Sequence, residues 1–487
     1  MKKLTTLLLL LICSFSFAQQ FKVSYTDSDF KGPFTGKVFL YMSKENKNPK
    51  DGFVGITSFP VFSIDVEDVK SGEMVVFNDD AKSYPVKLSD IERGEYYVQA
   101  VWDRNLGGRA INESPGNIYN TATKVTISQN RDAVYTVNCS EILPKNTFVD
   151  TEFIKELKVN SILLSKFYNR EVSVDAAVIL PKEYYEQPNR KFPVSFNISG
   201  YGGNYYNLSN TKTYKSQPID TIACITVYLD GNCPLGHSVY TNSENNGPWG
   251  DALTKEFIPT LEKQYRTNGA KLLTGHSSGG WTALSLQVHY PEVFDGCWSS
   301  SPDVVDFRDY QGVNLYEGEN MLYKEDGAQR SVATVAGRFP WASSKQMYGM
   351  ENIIYRGEQM HSLDAVFSTK GADGNPLRIC DPKTGEINPQ VFEHWKKYDL
   401  SLYLRNNWSS LKKDLEGKIR VSVGEQDNFL LNGAVHKLDE AMQPLNTKFQ
   451  FEYFPGDHFT VFTAEYKEKG NAFLASRYMA WKAEKGK

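Results

Sequence analysis

Beyond residue 18 the sequence has no apolar run near the roughly 20 residues that a membrane helix needs, so no membrane span is expected. It has no basic excess either. Lys and Arg number 54 against 58 Asp and Glu, a formal charge of −4. Nucleic-acid binding normally requires a basic face, so no nucleic-acid partner is expected. Zinc-type cysteine spacing and a His-Glu-x-x-His pair are both missing, and neither a metal nor a cofactor is expected. Cysteine is scarce. After Cys13 only Cys139, Cys224, Cys233, Cys297 and Cys380 remain, an odd number that cannot all pair. Cys224 and Cys297 lie in apolar runs and read as small buried apolar residues, although a Cys224–Cys233 bridge has permissive spacing. The chain shows no internal repeat and no low-complexity segment.

The 487 residues are 40% hydrophobic and 23% charged, enough for a large core and for two or three folding units. Residues 1–18 read as a secretory signal peptide. Lys2 and Lys3 open it, Leu7 to Ile12 form its apolar centre, and Ser16-Phe17-Ala18 supplies the cleavage site. Cys13 is preceded by Ile12, a poor fit to a lipoprotein site, so cleavage after Ala18 is expected. Loss of the two lysines takes the formal charge from −4 to −6. The protein is therefore expected to be exported, to the periplasm or the medium.

Residues 19–145 carry short β-branched and aromatic runs, such as 37–41, 73–77 and 96–102, separated by turn-rich stretches such as 46–52 and 104–108. This pattern predicts an all-β, immunoglobulin-like sandwich. From about 146 onward strands alternate with helices. Strands are expected at 171–181, 192–198, 221–229, 271–274, 296–299, 418–423 and 448–454. Helical periodicity covers 251–265, 280–289, 433–443 and 465–483. Such alternation implies a mostly parallel sheet with helices on both faces. It breaks between about 307 and 400, which reads as an insertion or lid over the sheet.

The sharpest chemical signal is Gly275-His276-Ser277-Ser278-Gly279, set between a strand and a helix. A serine on such a tight turn is held clear of the backbone, and only small neighbours fit at two residues either side. The helix start behind it aims the amide of Ser278 at developing negative charge. A serine hydroxyl needs a base. Of the seven histidines, His458 follows a late strand just before the last helix, in Gly456-Asp457-His458. An acid should lie between them, at the end of the preceding strand. Gly424-Glu425-Gln426-Asp427 provides Asp427, with Glu425 and Asp303 as alternatives. The second oxyanion donor is expected from Ser199-Gly200-Tyr201-Gly202-Gly203, through the amide of Tyr201. Trp249 reads as a substrate wall or a core tryptophan. His276 is a further lining candidate, although its place in the turn suggests a ring pointing away.

Taken together, the Ser199–Gly203 loop, the turn at Ser277, Gly424–Asp427 and Gly456–His458 resemble the "Putative esterase" family of α/β-hydrolases, which includes feruloyl and enterobactin esterases. The resemblance covers about 150–487. It implies the α/β-hydrolase fold for 146–487, and nucleophile, acid and base roles for Ser277, Asp427 and His458. It also implies a small-molecule or glycan-linked ester as substrate. One departure stands out: Ser199 occupies a place where many relatives carry histidine. A β-sandwich before the hydrolase domain also occurs in enterobactin-type esterases. Two other readings stay open at this point, a serine peptidase of the prolyl-oligopeptidase type and a non-catalytic binding protein.

Overall fold

The computed structural model describes residues 19–26, 30–128, 132–213 and 218–485. The expected signal peptide, 1–18, lies outside the described residues. The chain divides into two compact units. The first holds residues up to 52, 59–104 and 118–142. The second holds 53–58, 105–117 and 143 onward. Two short segments from the stretch that reads as the first domain thus group with the second unit.

The first unit is two sheets around one core. Gln20–Tyr25 lies between Val75–Phe77 and Val134–Cys139 in a three-stranded sheet. A seven-stranded sheet is built on Phe34–Ser43, Val61–Val69 and Gly94–Asp103. Side chains two apart on a strand share a face. Phe21, Val23 and Tyr25 therefore meet Val38, Leu40 and Met42 and the set Val98, Ala100 and Trp102. Tyr25 and Phe34 both pack edge-on to Trp102, with ring centroids 4.8 and 5.0 Å apart.

The second unit is built on an eight-stranded sheet. Its strands, numbered here within the sheet, are β1 (Ile154–Asn160), β2 (Ser173–Ile179), β3 (Phe192–Ile198), β4 (Ile225–Leu229), β5 (Thr267–His276), β6 (Gly296–Ser300), β7 (Ile419–Gly424) and β8 (Gln450–Phe454). Their order across the sheet is β1-β2-β4-β3-β5-β6-β7-β8. β2 pairs antiparallel with both neighbours, and every other pairing is parallel. This is the α/β-hydrolase arrangement, with helices on both faces. Leu273 and Cys297 point into one core, while their neighbours Leu272 and Trp298 point into the other, under the C-terminal helix Ala464–Glu484. The helix Ser278–His289 after β5 is buried along almost its whole length. All five described cysteines are buried and none is joined in a disulfide, Cys224 and Cys233 included. Among the described residues no helix is long and apolar enough to cross a membrane.

A long segment, which includes the stretch expected to be an insertion, joins β6 to β7. It contains the hairpin Ser331–Val335/Phe339–Ser343 and helices Ser344–Ile354, Gln359–Phe367, Pro389–Trp395 and Leu400–Leu415. Its interior holds three buried carboxyl groups, Glu351, Glu358 and Asp364. Glu351 accepts from the amides of Met360 (3.1 Å) and His361 (2.8 Å), and Asp364 from that of Ile379 (3.0 Å). Burial raises all three, Asp364 to about 7 against smaller downward pulls from the Ile379 amide and then Arg378. An acid raised in the fold binds its proton more tightly there than in the unfolded chain. Its contribution is therefore whole below about pH 4 and is lost as pH climbs toward 7. Asp364→Asn should stabilise the protein by roughly 2 kcal/mol at pH 8 and by almost nothing at pH 4, as read from thermal unfolding at the two pH values.

Candidate active site

Strand β5 runs directly into the helix Ser278–His289, and Ser277 is the hinge. Its backbone sits at φ 60°, ψ −128°, a conformation that non-glycine residues hold only when the surroundings impose it. Three hydrogen bonds impose it here. Ser277 N donates to Ser300 O (3.0 Å), and Ser277 O accepts from Trp281 N (3.0 Å) and Asp303 N (3.2 Å). Space imposes the rest. A Cβ at Gly279 would overlap the Ile198 carbonyl and meet that of Ser199 at 2.7 Å. One at Gly275 would strike the backbone of Gly279 and the Ile198 oxygen at 2.9 Å.

His458 follows β8. Its Nδ1 and Asp427 Oδ2 are 2.7 Å apart, and both side chains are nearly sealed from solvent. The second oxygen of Asp427 accepts from the amides of Phe429 (2.9 Å) and Leu431 (3.4 Å). The imidazole is ringed by Phe429 and Phe459, edge-on at 4.9 and 5.4 Å, and by His276 at 4.3 Å. The expectation that His276 points away is corrected: Ser300 Oγ holds its Nδ1 at 2.8 Å, which sets the ring against His458. Burial and the neighbouring His458 lower His276 to about 3, so it stays neutral.

The Ser277 hydroxyl donates to Asp303 Oδ1 at 3.4 Å. The other Asp303 oxygen accepts from Ser278 Oγ at 2.6 Å. Asp303 thus faces the serines while Asp427 faces His458. Glu425 lies 3.2 Å from His436 at the exposed surface. Ser278 heads its helix, where amides have no partner within the helix. Gly200 approaches from the other side, and a Cβ there would lie 3.1 Å from Ser277 Cβ. This brings the backbone of Tyr201 alongside the serine. The Tyr201 hydroxyl is tied to Gly357 O at 2.8 Å. Trp249 is 4% exposed, edge-on to Tyr240 at 6.0 Å, and belongs to the core.

Several supporting groups escape a reading of the sequence. Asn428 is buried, and its Oδ1 accepts from the His458 amide (3.1 Å) while its Nδ2 donates to Thr334 O (2.9 Å). Adjacency to Asp427 was its only signal. His237 is buried and held down to about 4 by burial. Its Nδ1 accepts from Val239 N (2.9 Å), so Nε2 carries the proton and donates to Ser199 O (3.3 Å), fixing the root of the Gly200 loop. Asp230, raised to about 6 by burial, accepts from the amides of Tyr205 (3.1 Å) and Asn232 (3.0 Å) beneath the same loop.

Sheet order and the turn at Ser277 define an α/β-hydrolase. Residues 165–470 match the family described as "Putative esterase", and the chain belongs to that family of esterases. No curated protein matches. Among solved structures the chain is similar to a ferulic acid esterase, at 15% identity and TM-score 0.38, covering 68% of this chain and 98% of that one. It is also similar to an S-formylglutathione hydrolase from Agrobacterium tumefaciens (16%, TM-score 0.38, 67% and 97% covered). A third is a ferulic acid esterase from Anaeromyces mucronatus in complex with ferulic acid (14%, TM-score 0.35, 68% and 92%).

Gly279→Ala should cost about 3 kcal/mol or more, because the added methyl meets backbone that cannot rotate away. Urea unfolding with Ser278→Ala as comparison measures it, and a loss no greater than that of Ser278→Ala would contradict the crowding argument.

Proposed function

We propose that the chain is an exported serine carboxylesterase in which Ser277, His458 and Asp427 form the catalytic triad. The observation that carries this reading is the buried 2.7 Å Asp427–His458 bond beside the strained Ser277 turn. With its Nδ1 proton held by Asp427, the imidazole presents the Nε2 lone pair as base. Acylation requires the Ser277 hydroxyl to swing from Asp303 toward Nε2. Its oxygen then attacks the ester carbonyl as its proton passes to Nε2. The amides of Ser278 and Tyr201 receive the oxyanion. Collapse breaks the bond to the alcohol oxygen, which takes the proton from His458 and leaves. Water attacks the acyl-enzyme by the same route, with His458 again as base, and releases the acid and free Ser277. No step calls for a cofactor.

The proposed substrate is a small-molecule or glycan-linked ester, of carbohydrate, feruloyl or siderophore type. Export rests on the leader-like residues Lys2, Lys3 and Leu7 to Ala18.

Ser277→Ala should lower turnover of a short p-nitrophenyl ester by about 10⁴-fold or more, and Asp427→Asn by about 10⁴-fold. A fluorophosphonate probe should label the parent at Ser277. Undiminished turnover in Ser277→Ala removes the proposal.

A further inference from the structure

We propose that Arg109 recognises a carboxylate carried by the ester substrate, beside the oxyanion loop. This rests on the esterase reading of the Ser277 site and adds a substrate class to it. Arg109 lies on 105–117, one of the two segments that group with the hydrolase unit. The segment is pinned where it matters. Arg356 Nη1 donates to the carbonyls of Gly108 (3.0 Å), Arg109 (2.8 Å) and Pro234 (2.7 Å). The Arg109 guanidinium lies over the ring of Tyr201, 4.6 Å from its centroid. That ring is itself anchored through its hydroxyl to Gly357, and its backbone adjoins Gly200, which abuts Ser277. The cation is therefore fixed beside the loop that receives the attacked carbonyl.

The hydrogen-bonding capacity of its Nε is unused. Arg308, Arg330 and Arg420 each pair with a carboxylate, at 2.5, 2.7 and 2.6 Å. Among the described residues no carboxylate pairs with Arg109, and its Nε is buried with no hydrogen-bond partner. The nearby acid Glu358 is occupied, accepting from the amides of Arg356 (2.8 Å) and Gly357 (3.2 Å). The neighbouring His237 is neutral, and Arg109's own charge helps keep it so. An aromatic face attracts a cation but takes none of its in-plane hydrogen bonds. A half-buried guanidinium with an unsatisfied Nε is costly. A carboxylate, which accepts two parallel N–H bonds from such a fork, removes that cost.

The test uses two pairs of esters. Mono-4-nitrophenyl glutarate against 4-nitrophenyl pentanoate places the charge on the acyl side. 4-Acetoxybenzoate against 4-acetoxybenzamide places it on the alcohol side. For one of the pairs the parent protein should show kcat/KM about tenfold higher for the charged ester. That ratio should shrink as NaCl rises from about 20 to about 500 mM. Arg109→Gln should lower the ratio about tenfold, and Arg109→Lys should keep part of it. Because the readout is a ratio, any general loss from a loosened Tyr201 divides out. The salt dependence in the parent stands independently if the variants fail to fold. A parent with no preference for either charged ester overturns the proposal, as does an Arg109→Gln variant that slows both members of a pair equally. Fluorophosphonate labelling separates the two levels. A labelled Ser277 without charge preference sinks the role of Arg109 alone, whereas an unlabelled, inactive parent sinks the esterase reading and this one with it.

Discussion

Everything at the site depends on backbone packed against backbone at the Ser277 turn. The chain between β5 and its helix passes so close to the end of β3 that no side-chain atom fits at Gly275 or Gly279. The turn's amide is bonded to Ser300, the last residue of β6, and its carbonyl to Asp303 just beyond that strand. The strand ends on either side of β5 are therefore locked to the serine before any other side chain is considered. The loop after β3 must deliver Gly200 and Tyr201 next to Ser277, and the loop after β6 must deliver Asp303 beneath it. The unfavourable φ of Ser277 is sustained by this lock, since contacts from three strands oppose its relaxation.

The insertion extends the same logic outward by bracing loops on both sides of the serine. On the acid side, Thr334 N donates to Asn428 O at 2.7 Å and Asn428 returns a bond to Thr334 O. The side chain of Asn428 also holds the His458 amide. On the oxyanion side, Gly357 accepts from Tyr201, and Ser362 Oγ accepts from the His237 amide at 2.7 Å. One segment thus touches supports on both sides of Ser277. A loop that only covered the sheet would not need these bonds.

How much of this can be read from the sequence follows from where each signal originates. β3 is almost wholly buried and carries Phe192, Val194, Phe196 and Ile198 at alternate positions, so 192–198 is legible to the residue. The turn at Ser277 is legible because its steric demands leave glycines in the sequence. β1 is not: as an edge strand it alternates Leu157 and Val159 with Glu156 and Lys158, and so resembles a polar loop. Residues 105–117 are turn-rich and sit among sandwich strands, so local pattern assigns them to the first domain. Their grouping with the hydrolase unit comes from long-range bonds such as Arg356 to Gly108, which leave no local trace. Asn428 and His237 are invisible for the same reason, being single polar residues whose importance lies in partners far along the chain.

The sequence offers several carboxylates for one histidine, and the structure separates them by what each receives. Glu425 is solvated and engaged with His436. Asp427 accepts two main-chain amides and faces an imidazole nitrogen. Asp303 accepts only hydroxyl groups, and burial raises its affinity for a proton. Asp427 is turned toward the His458 imidazole instead, 2.7 Å from its Nδ1. The two aspartates of this cluster are thus told apart by their partners, main-chain amides and an imidazole for Asp427 and hydroxyl groups for Asp303, rather than by their distance to the serine along the chain.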